Sequence, residues 1–106
     1  MQDPHQASFE LSGGEGRYRL SGIAGFGNGR ALLEQGSGAF RGQTAVEVNL
    51  SGVTSTDSAG LAVLLTWVER ARANGQTLRF DALPAQLLAI ARVCGVESML
   101  GAAAAP

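Results

Sequence analysis

The first two strands are predicted by short stretches in which apolar and polar side chains alternate. Residues 8–11 alternate, residues 13–16 interrupt the pattern with three glycines, and residues 17–20 alternate again. Two alternating stretches around a glycine-rich turn predict a β-hairpin. Residues 44–50 form the clearest strand, and residues 77–81 are predicted as the last one.

Three helices are predicted between and after these strands. Asn28 is a good cap for the first helix, whose apolar positions are only roughly periodic. Residues 58–74 predict the second helix, with one apolar stripe and a stop signal at Asn74-Gly75. Pro84 fits the first turn of the third helix, and residues 96–100 predict one further turn. The stripe of the second helix comprises Leu61, Leu64, Leu65, Val68 and Ala71.

The predicted order β-β-α-β-α-β-α implies an α/β fold with a mixed sheet and helices mainly on one face. Residues 1–7 are predicted as a flexible arm, residues 8–100 as one domain, and residues 101–106 as a frayed tail.

The amino-acid composition limits the classes of function that the chain can have. The chain has 106 residues, 45% of them hydrophobic and 16% charged, which fits one folded domain and disfavours disorder. A formal net charge of −1 argues against nucleic acid as a partner. No apolar run approaches the ~20 residues of a membrane span, and no secretory signal begins the sequence, so we expect a cytoplasmic protein without direct membrane insertion.

Few residues could perform chemistry. The single histidine, His5, falls in the predicted arm, and the single cysteine, Cys94, falls on the apolar side of the last helix, where we expect a buried, inert thiol. Asp57, Asp81 and Glu97 each stand among apolar or small residues, and no histidine or cysteine accompanies them, so no metal site is expected. We therefore expect no catalytic residue, cofactor or enzymatic activity. Glycines between residues 22 and 29 leave a small-ligand site as a minor alternative, although no lysine follows them.

The junction between the best strand and the best helix carries the strongest signal. Residues 54–62 combine hydroxyls and a carboxylate that can cap the helix. On a helical wheel that places Leu61 at the middle of the buried stripe, the first turns of the outward side are small and apolar. Such a surface is typical of a docking site, although helix propensity alone could also select it. The outward positions are Ala59, Ala62, Val63, Thr66, Arg70 and Ala73, with Trp67 at the edge.

This segment resembles the signature of STAS domains. The sequence DSAGLAVLL at residues 57–65 follows the strand VEVNLSGV at residues 46–53, and the similarity extends from about Phe9 to Leu100. The resemblance implies a STAS-like mixed sheet. Two branches of the STAS family share this signature. They are the anti-sigma factor antagonists and the small cytoplasmic subunit of Mla-type phospholipid ABC transporters.

The residue before the motif glycine separates the two branches. Antagonists of anti-sigma factors carry a phosphorylated serine there, whereas this chain has Ala59, which has no hydroxyl. Ser58 remains a possible phosphorylation site, so an antagonist regulated by serine phosphorylation is the alternative function. The rest of the motif, and Trp67 two turns later, are more similar to the transporter subunits.

The favoured branch implies a non-catalytic accessory subunit that binds and stabilises or activates the transporter ATPase, in a complex that maintains outer-membrane lipid asymmetry. A permease and a periplasmic lipid-binding component would belong to the same complex, which would hold the chain at the inner membrane through its partner. The expected partner interface comprises Thr56, Ser58, Ala59, Ala62, Val63, Thr66 and Trp67.

Overall fold

Four strands and three helices follow one another along residues 8–100, the part of the chain that the computed structural model describes. The predicted order of elements is confirmed, while the predicted arm and tail lie outside the described residues. The elements are β1 (Phe9–Gly14), β2 (Arg17–Ala24), α1 (Gly29–Phe40), β3 (Ala45–Thr56), α2 (Ser58–Ala73), β4 (Thr77–Asp81) and α3 (Ala85–Cys94), followed by a short 3-10 helix at Glu97–Leu100.

The strands form one mixed sheet in the order β1-β2-β3-β4. β1 and β2 are antiparallel, whereas β3 runs parallel to both β2 and β4. Glu15 and Gly16 make the hairpin turn with positive φ angles of 54° and 84°, which a tight turn between twisted strands requires. The predicted mixed sheet is therefore confirmed.

The two faces of the sheet differ in chemistry. Leu20, Val48 and Leu50 lie on one face and are at most 1% exposed. The other face is polar and carries an ion pair between Arg79 and Glu47, with 3.6 Å between nitrogen and oxygen, at its surface. Because only one face is apolar, the helices cover that face, as predicted.

α2 is rotated relative to the sequence prediction. Its buried side is centred on Gly60, Leu64 and Ala71 rather than on Leu61, and Leu65 is only half-buried. The rotation arises because α2 contacts α1 as well as the sheet, so it must bury two adjoining faces instead of one stripe.

Three local features differ from the prediction. β3 continues through a segment predicted as a turn, because Ser55 and Thr56 pair with the end of β2. Pro84 lies at the N-cap of α3 rather than inside its first turn. Cys94 is exposed, so the expected burial of its thiol is wrong. The core takes Leu87 and Ala91 from α3 and then Leu100 from the 3-10 helix, which leaves the last residue of α3 outside it.

Candidate functional site

Asp57 organises the junction between β3 and α2. Its extended backbone places the carboxylate at the start of the helix, where Oδ1 accepts the Gly60 N–H at 3.0 Å. This bond, with smaller contributions from the N–H groups of Phe26 and Ala59, holds the pKa of the Asp57 carboxyl below its ordinary value of 3.8, although partial desolvation opposes the shift. The carboxylate is therefore charged near neutral pH and stabilises the positive end of the helix dipole.

The second oxygen of Asp57 fastens the loop between β2 and α1. Oδ2 accepts the Phe26 N–H at 3.1 Å, and Gly25 lies so close that an added Cβ would approach this oxygen to 2.8 Å. Asn28 completes the fastening, since its Oδ1 accepts the Gly25 N–H at 3.0 Å and its Nδ2 donates to the Ile23 carbonyl at 2.7 Å. Asn28 occupies the N-cap of α1 as predicted, but its side chain holds the loop instead of capping the helix.

The motif glycine lets the start of α2 approach the sheet. A Cβ on Gly60 would overlap the Ala24 carbonyl oxygen and the Thr56 hydroxyl. Thr56 is therefore only 6% exposed, and its backbone N–H donates to Gln86 Oε1 of α3 at 3.1 Å. The prediction that Thr56 offers its side chain to a partner is wrong, because this close approach encloses it.

Four of the predicted interface residues form a surface on the first turns of α2, which we call the docking patch. Ser58 and Ala62 are exposed, and Ala59 and Thr66 are half-buried. The Thr66 hydroxyl donates to the Ala62 carbonyl at 2.8 Å, so its hydrogen-bonding capacity is partly used within the helix. Because Asp57 already caps the helix, the Ser58 hydroxyl is not needed for that task. The docking patch is therefore small, smooth and weakly polar.

Val63 and Trp67 do not belong to this surface, and the expectation that they face a partner is wrong. Val63 is 6% exposed and Trp67 is 2% exposed. Both pack against α1, where Trp67 Nε1 donates to the Leu33 carbonyl at 3.2 Å and Val63 lies beside Gly29. The helical wheel centred on Leu61 placed Val63 on the outward side and Trp67 at its edge, because the wheel took no account of the contact between α2 and α1.

The sequence reasoning missed Phe26, which the structure places at the same end of the molecule. Its side chain is 88% exposed, and Ile23 nearby in the chain is 37% exposed. The Phe26 backbone is bonded to Asp57, the residue immediately before the docking patch. An aromatic residue between two glycines was a visible signal, but the sequence analysis considered only the glycines of this segment.

The described residues contain no cluster of metal ligands. Within residues 8–100, no group of three or more His, Cys, Asp or Glu side chains could hold a metal ion. His5 lies outside this range. A cavity of about 610 Å³ lies between the C-terminal parts of α1 and α2, and none of the glycines between residues 22 and 29 lines it. The alternative of a ligand site at these glycines therefore gains no support from this cavity.

The sequence matches a known family over almost its whole length. Residues 7–101 fit the family model described as Mlab, STAS domain. The chain belongs to the STAS domain family. The comparison with curated proteins gives no match.

Solved structures confirm the STAS fold. The anti-sigma factor antagonist SpoIIAA in its unphosphorylated form superimposes with a TM-score of 0.69 at 15% identity, over 87% of this chain and 84% of that one. SLC26A9 matches with a TM-score of 0.65 at 13% identity over 78% of this chain, and Mglu with 0.56 at 23% identity over 72%. This STAS domain spans only 16% of the SLC26A9 chain and 19% of the Mglu chain. At these identities the likeness concerns the fold alone.

The helices in the described part of this STAS domain do not meet the requirements of a membrane-spanning helix. Within the described part of the chain, none combines the length and the apolar character needed to cross a bilayer.

Proposed function

We propose that this STAS domain is the non-catalytic accessory subunit of a phospholipid ABC transporter that maintains outer-membrane lipid asymmetry. In this proposal the chain binds the transporter ATPase from the cytoplasmic side and stabilises or activates it. A permease and a periplasmic lipid-binding component complete the complex. The matching family description, Mlab, supports this branch of the family.

The observation that carries the proposal is the outward direction of Ser58 and Ala62 on a helix end that Asp57 already caps. Both side chains are exposed, and the Gly60 N–H at this helix end is accepted by Asp57 Oδ1, at 3.0 Å, and not by Ser58. A partner can therefore receive one directed hydrogen bond from Ser58. The methyl group of Ala62 leaves room for a backbone or a flat side chain to approach closely.

The alternative is an anti-sigma factor antagonist regulated by serine phosphorylation. Ala59 cannot be phosphorylated, so Ser58 would have to accept the phosphate. A phosphate on Ser58 would add about two negative charges directly beside the carboxylate of Asp57. Intact-mass measurement after incubation with a cognate kinase tests this alternative, since an unmodified mass contradicts it.

The test of the proposal is co-purification of the full chain with the transporter ATPase of the same organism. We expect Ser58→Arg and Ala62→Glu to abolish co-purification, because each places a large charged group on the docking patch. Ala89→Glu is the matched control, since Ala89 is an exposed alanine on a different helix, α3. Unchanged binding by both patch variants would contradict the proposal.

A second measurement separates stabilisation from activation. The ATP hydrolysis rate of the isolated ATPase is compared with that of the ATPase saturated with the STAS subunit. A higher rate at equal folded ATPase concentration indicates activation. An equal rate together with a higher melting temperature of the ATPase indicates stabilisation.

A further inference from the structure

We propose that Phe26 is the aromatic anchor of this interaction, and that the partner protein receives its ring in an uncharged, apolar pocket beside the surface that meets Ser58 and Ala62. This inference rests on the proposed function and specifies the chemistry of the partner. It adds a loop residue to an interface otherwise confined to one helix.

The first support is that the Phe26 ring is exposed on a loop whose backbone is held in place. Its N–H donates to Asp57, while the Asn28 side chain bonds both Gly25 and Ile23. The backbone N–H of Asn28 also donates to the Gly25 carbonyl at 3.1 Å. These bonds restrict the loop while 88% of the Phe26 side chain remains in water. Because the backbone of the loop is already held, binding has to fix only the two side-chain torsions of the phenyl ring, which favours its use as an anchor.

The second support is the absence of any need for a phenylalanine in the fold itself. The loop uses only the backbone N–H of Phe26, which nearly any residue would supply. An exposed phenyl ring gains nothing from the sheet and leaves a large apolar surface hydrated. Insertion into a partner would remove that surface from water.

The third support is the position of the anchor beside the docking patch. Phe26 N lies 3.1 Å from Asp57 Oδ2, and Ser58 is the next residue after Asp57. A partner that covers Ser58 and Ala62 therefore meets the Phe26 loop as well. Interfaces commonly combine one protruding aromatic residue with a surrounding smooth surface that excludes water.

Charge favours a protein pocket over a lipid surface. Asp57, whose carboxylate accepts the Phe26 N–H, and Arg30, four residues after Phe26, are one acidic and one basic residue, and both are exposed. A peripheral membrane anchor usually adds several basic residues to its apolar ones, because anionic lipids attract them. These two charges are opposite in sign and do not form a basic cluster, so an uncharged apolar pocket is the complementary partner surface.

The test measures the affinity of the full chain for the transporter ATPase. We expect Phe26→Ala to weaken binding by about tenfold or more, the loss typical of an interface anchor, and Phe26→Leu to weaken it less. Val93→Ala is the matched control, since the Val93 side chain is 89% exposed on α3, and we expect its affinity to equal that of the wild type. Circular dichroism checks that all variants are folded.

The outcomes separate this inference from the proposed function. If Ser58→Arg abolishes binding and Phe26→Ala binds as tightly as the wild type, the assignment of Phe26 as an anchor is wrong. The proposed function then still stands. If the wild type does not bind the ATPase, both are wrong. Sedimentation with vesicles of phosphatidylethanolamine and phosphatidylglycerol is the last measurement of the experiment. We expect no binding, and binding that depends on Phe26 would assign the ring to a lipid surface instead.

Discussion

Gly36 of α1 lies directly against the indole ring of Trp67 on α2. A Cβ at position 36 would come within 2.6 Å of the indole nitrogen and would overlap the adjoining ring carbons. The indole is also bonded to the Leu33 carbonyl and packs edge-on against Phe40, with 5.2 Å between the ring centroids. Trp67 is thereby fixed on α1, and this fixes the rotation that turns Ala62 toward solvent.

We predict that Gly36→Ala destabilises the domain by about 1–3 kcal/mol, because the added methyl group must displace a ring held on several sides. Gly38→Ala is the matched control on the same helix. A Cβ at position 38 meets no atom within 4 Å, and replacing a helical glycine with alanine usually stabilises by about 0.5–1 kcal/mol.

Urea unfolding followed by circular dichroism gives both free energies of unfolding. The two substitutions are chemically identical, so their opposite signs depend only on the contact with Trp67. If Gly36→Ala were as stable as Gly38→Ala, the close packing of the two helices would be contradicted.

The sequence was sufficient to predict the order of elements and the mixed sheet. In β3, Val46, Val48 and Leu50 alternate with other residues. This alternation predicts a strand with one buried face, whichever element covers that face. The end of β3 was mistaken for a turn because Ser55 and Thr56 are polar. Their strand geometry comes from pairing with β2, more than thirty residues earlier.

The interface was predicted in part, and the error has a physical cause. α2 carries apolar residues on most of its circumference, so periodicity could not decide which of them face outward. Contact with α1 decides it by burying Val63 and Trp67 and leaving Ser58 and Ala62 exposed. The rotation of a largely apolar helix depends on its neighbours, which the local pattern does not contain.

Phe26 could not be placed from the sequence for a similar reason. Its loop is held by the bond from the Phe26 N–H to Asp57, which is 31 residues away. Local patterning assigns an aromatic residue to the core by default, and only the long-range contact shows that this one is held at the surface.

Asp57→Ala is predicted to destabilise the domain by about 1 kcal/mol, because it removes the cap of α2. The same change releases the Phe26 loop from α2. Asp57→Asn keeps an acceptor for Gly60 but presents an amide group to the Phe26 N–H, so its stability should lie between those of the wild type and Asp57→Ala. Chemical denaturation of the three proteins checks this order. Equal stability of wild type and Asp57→Ala would show that the cap contributes nothing.

The charge of Asp57 should also make stability depend on pH. The pKa of this carboxyl is lower in the folded protein than its ordinary value of 3.8, so the folded state binds the proton less readily. The stabilisation is therefore complete above that ordinary value and is lost as the pH falls through it toward the lower folded value. We expect the stability difference between wild type and Asp57→Asn, which cannot titrate, to shrink between about pH 5 and pH 3. Urea unfolding across this range measures it, and a constant difference would contradict the assignment.

Gln76 joins the C-terminal end of α1 to the segment after α2. Its Nε2 donates to the carbonyls of Phe40 and Gln43, each at 2.7 Å. Gln76→Ala leaves both carbonyls without this donor and should destabilise by about 1–3 kcal/mol. Gln76→Glu keeps the shape but directs a carboxylate at two carbonyl oxygens, so it should be the less stable of the two near neutral pH.

The stability of Gln76→Glu should depend on pH. Protonation of the introduced carboxyl restores one donor, so Gln76→Glu should regain stability relative to Gln76→Ala as the pH falls toward about 4. Gln35→Glu is the matched control, because Gln35 is exposed on α1 and the charge there faces water. Thermal unfolding of all three variants at several pH values measures the effect. If Gln76→Glu behaves like Gln35→Glu, the amide of Gln76 does not hold the two carbonyls.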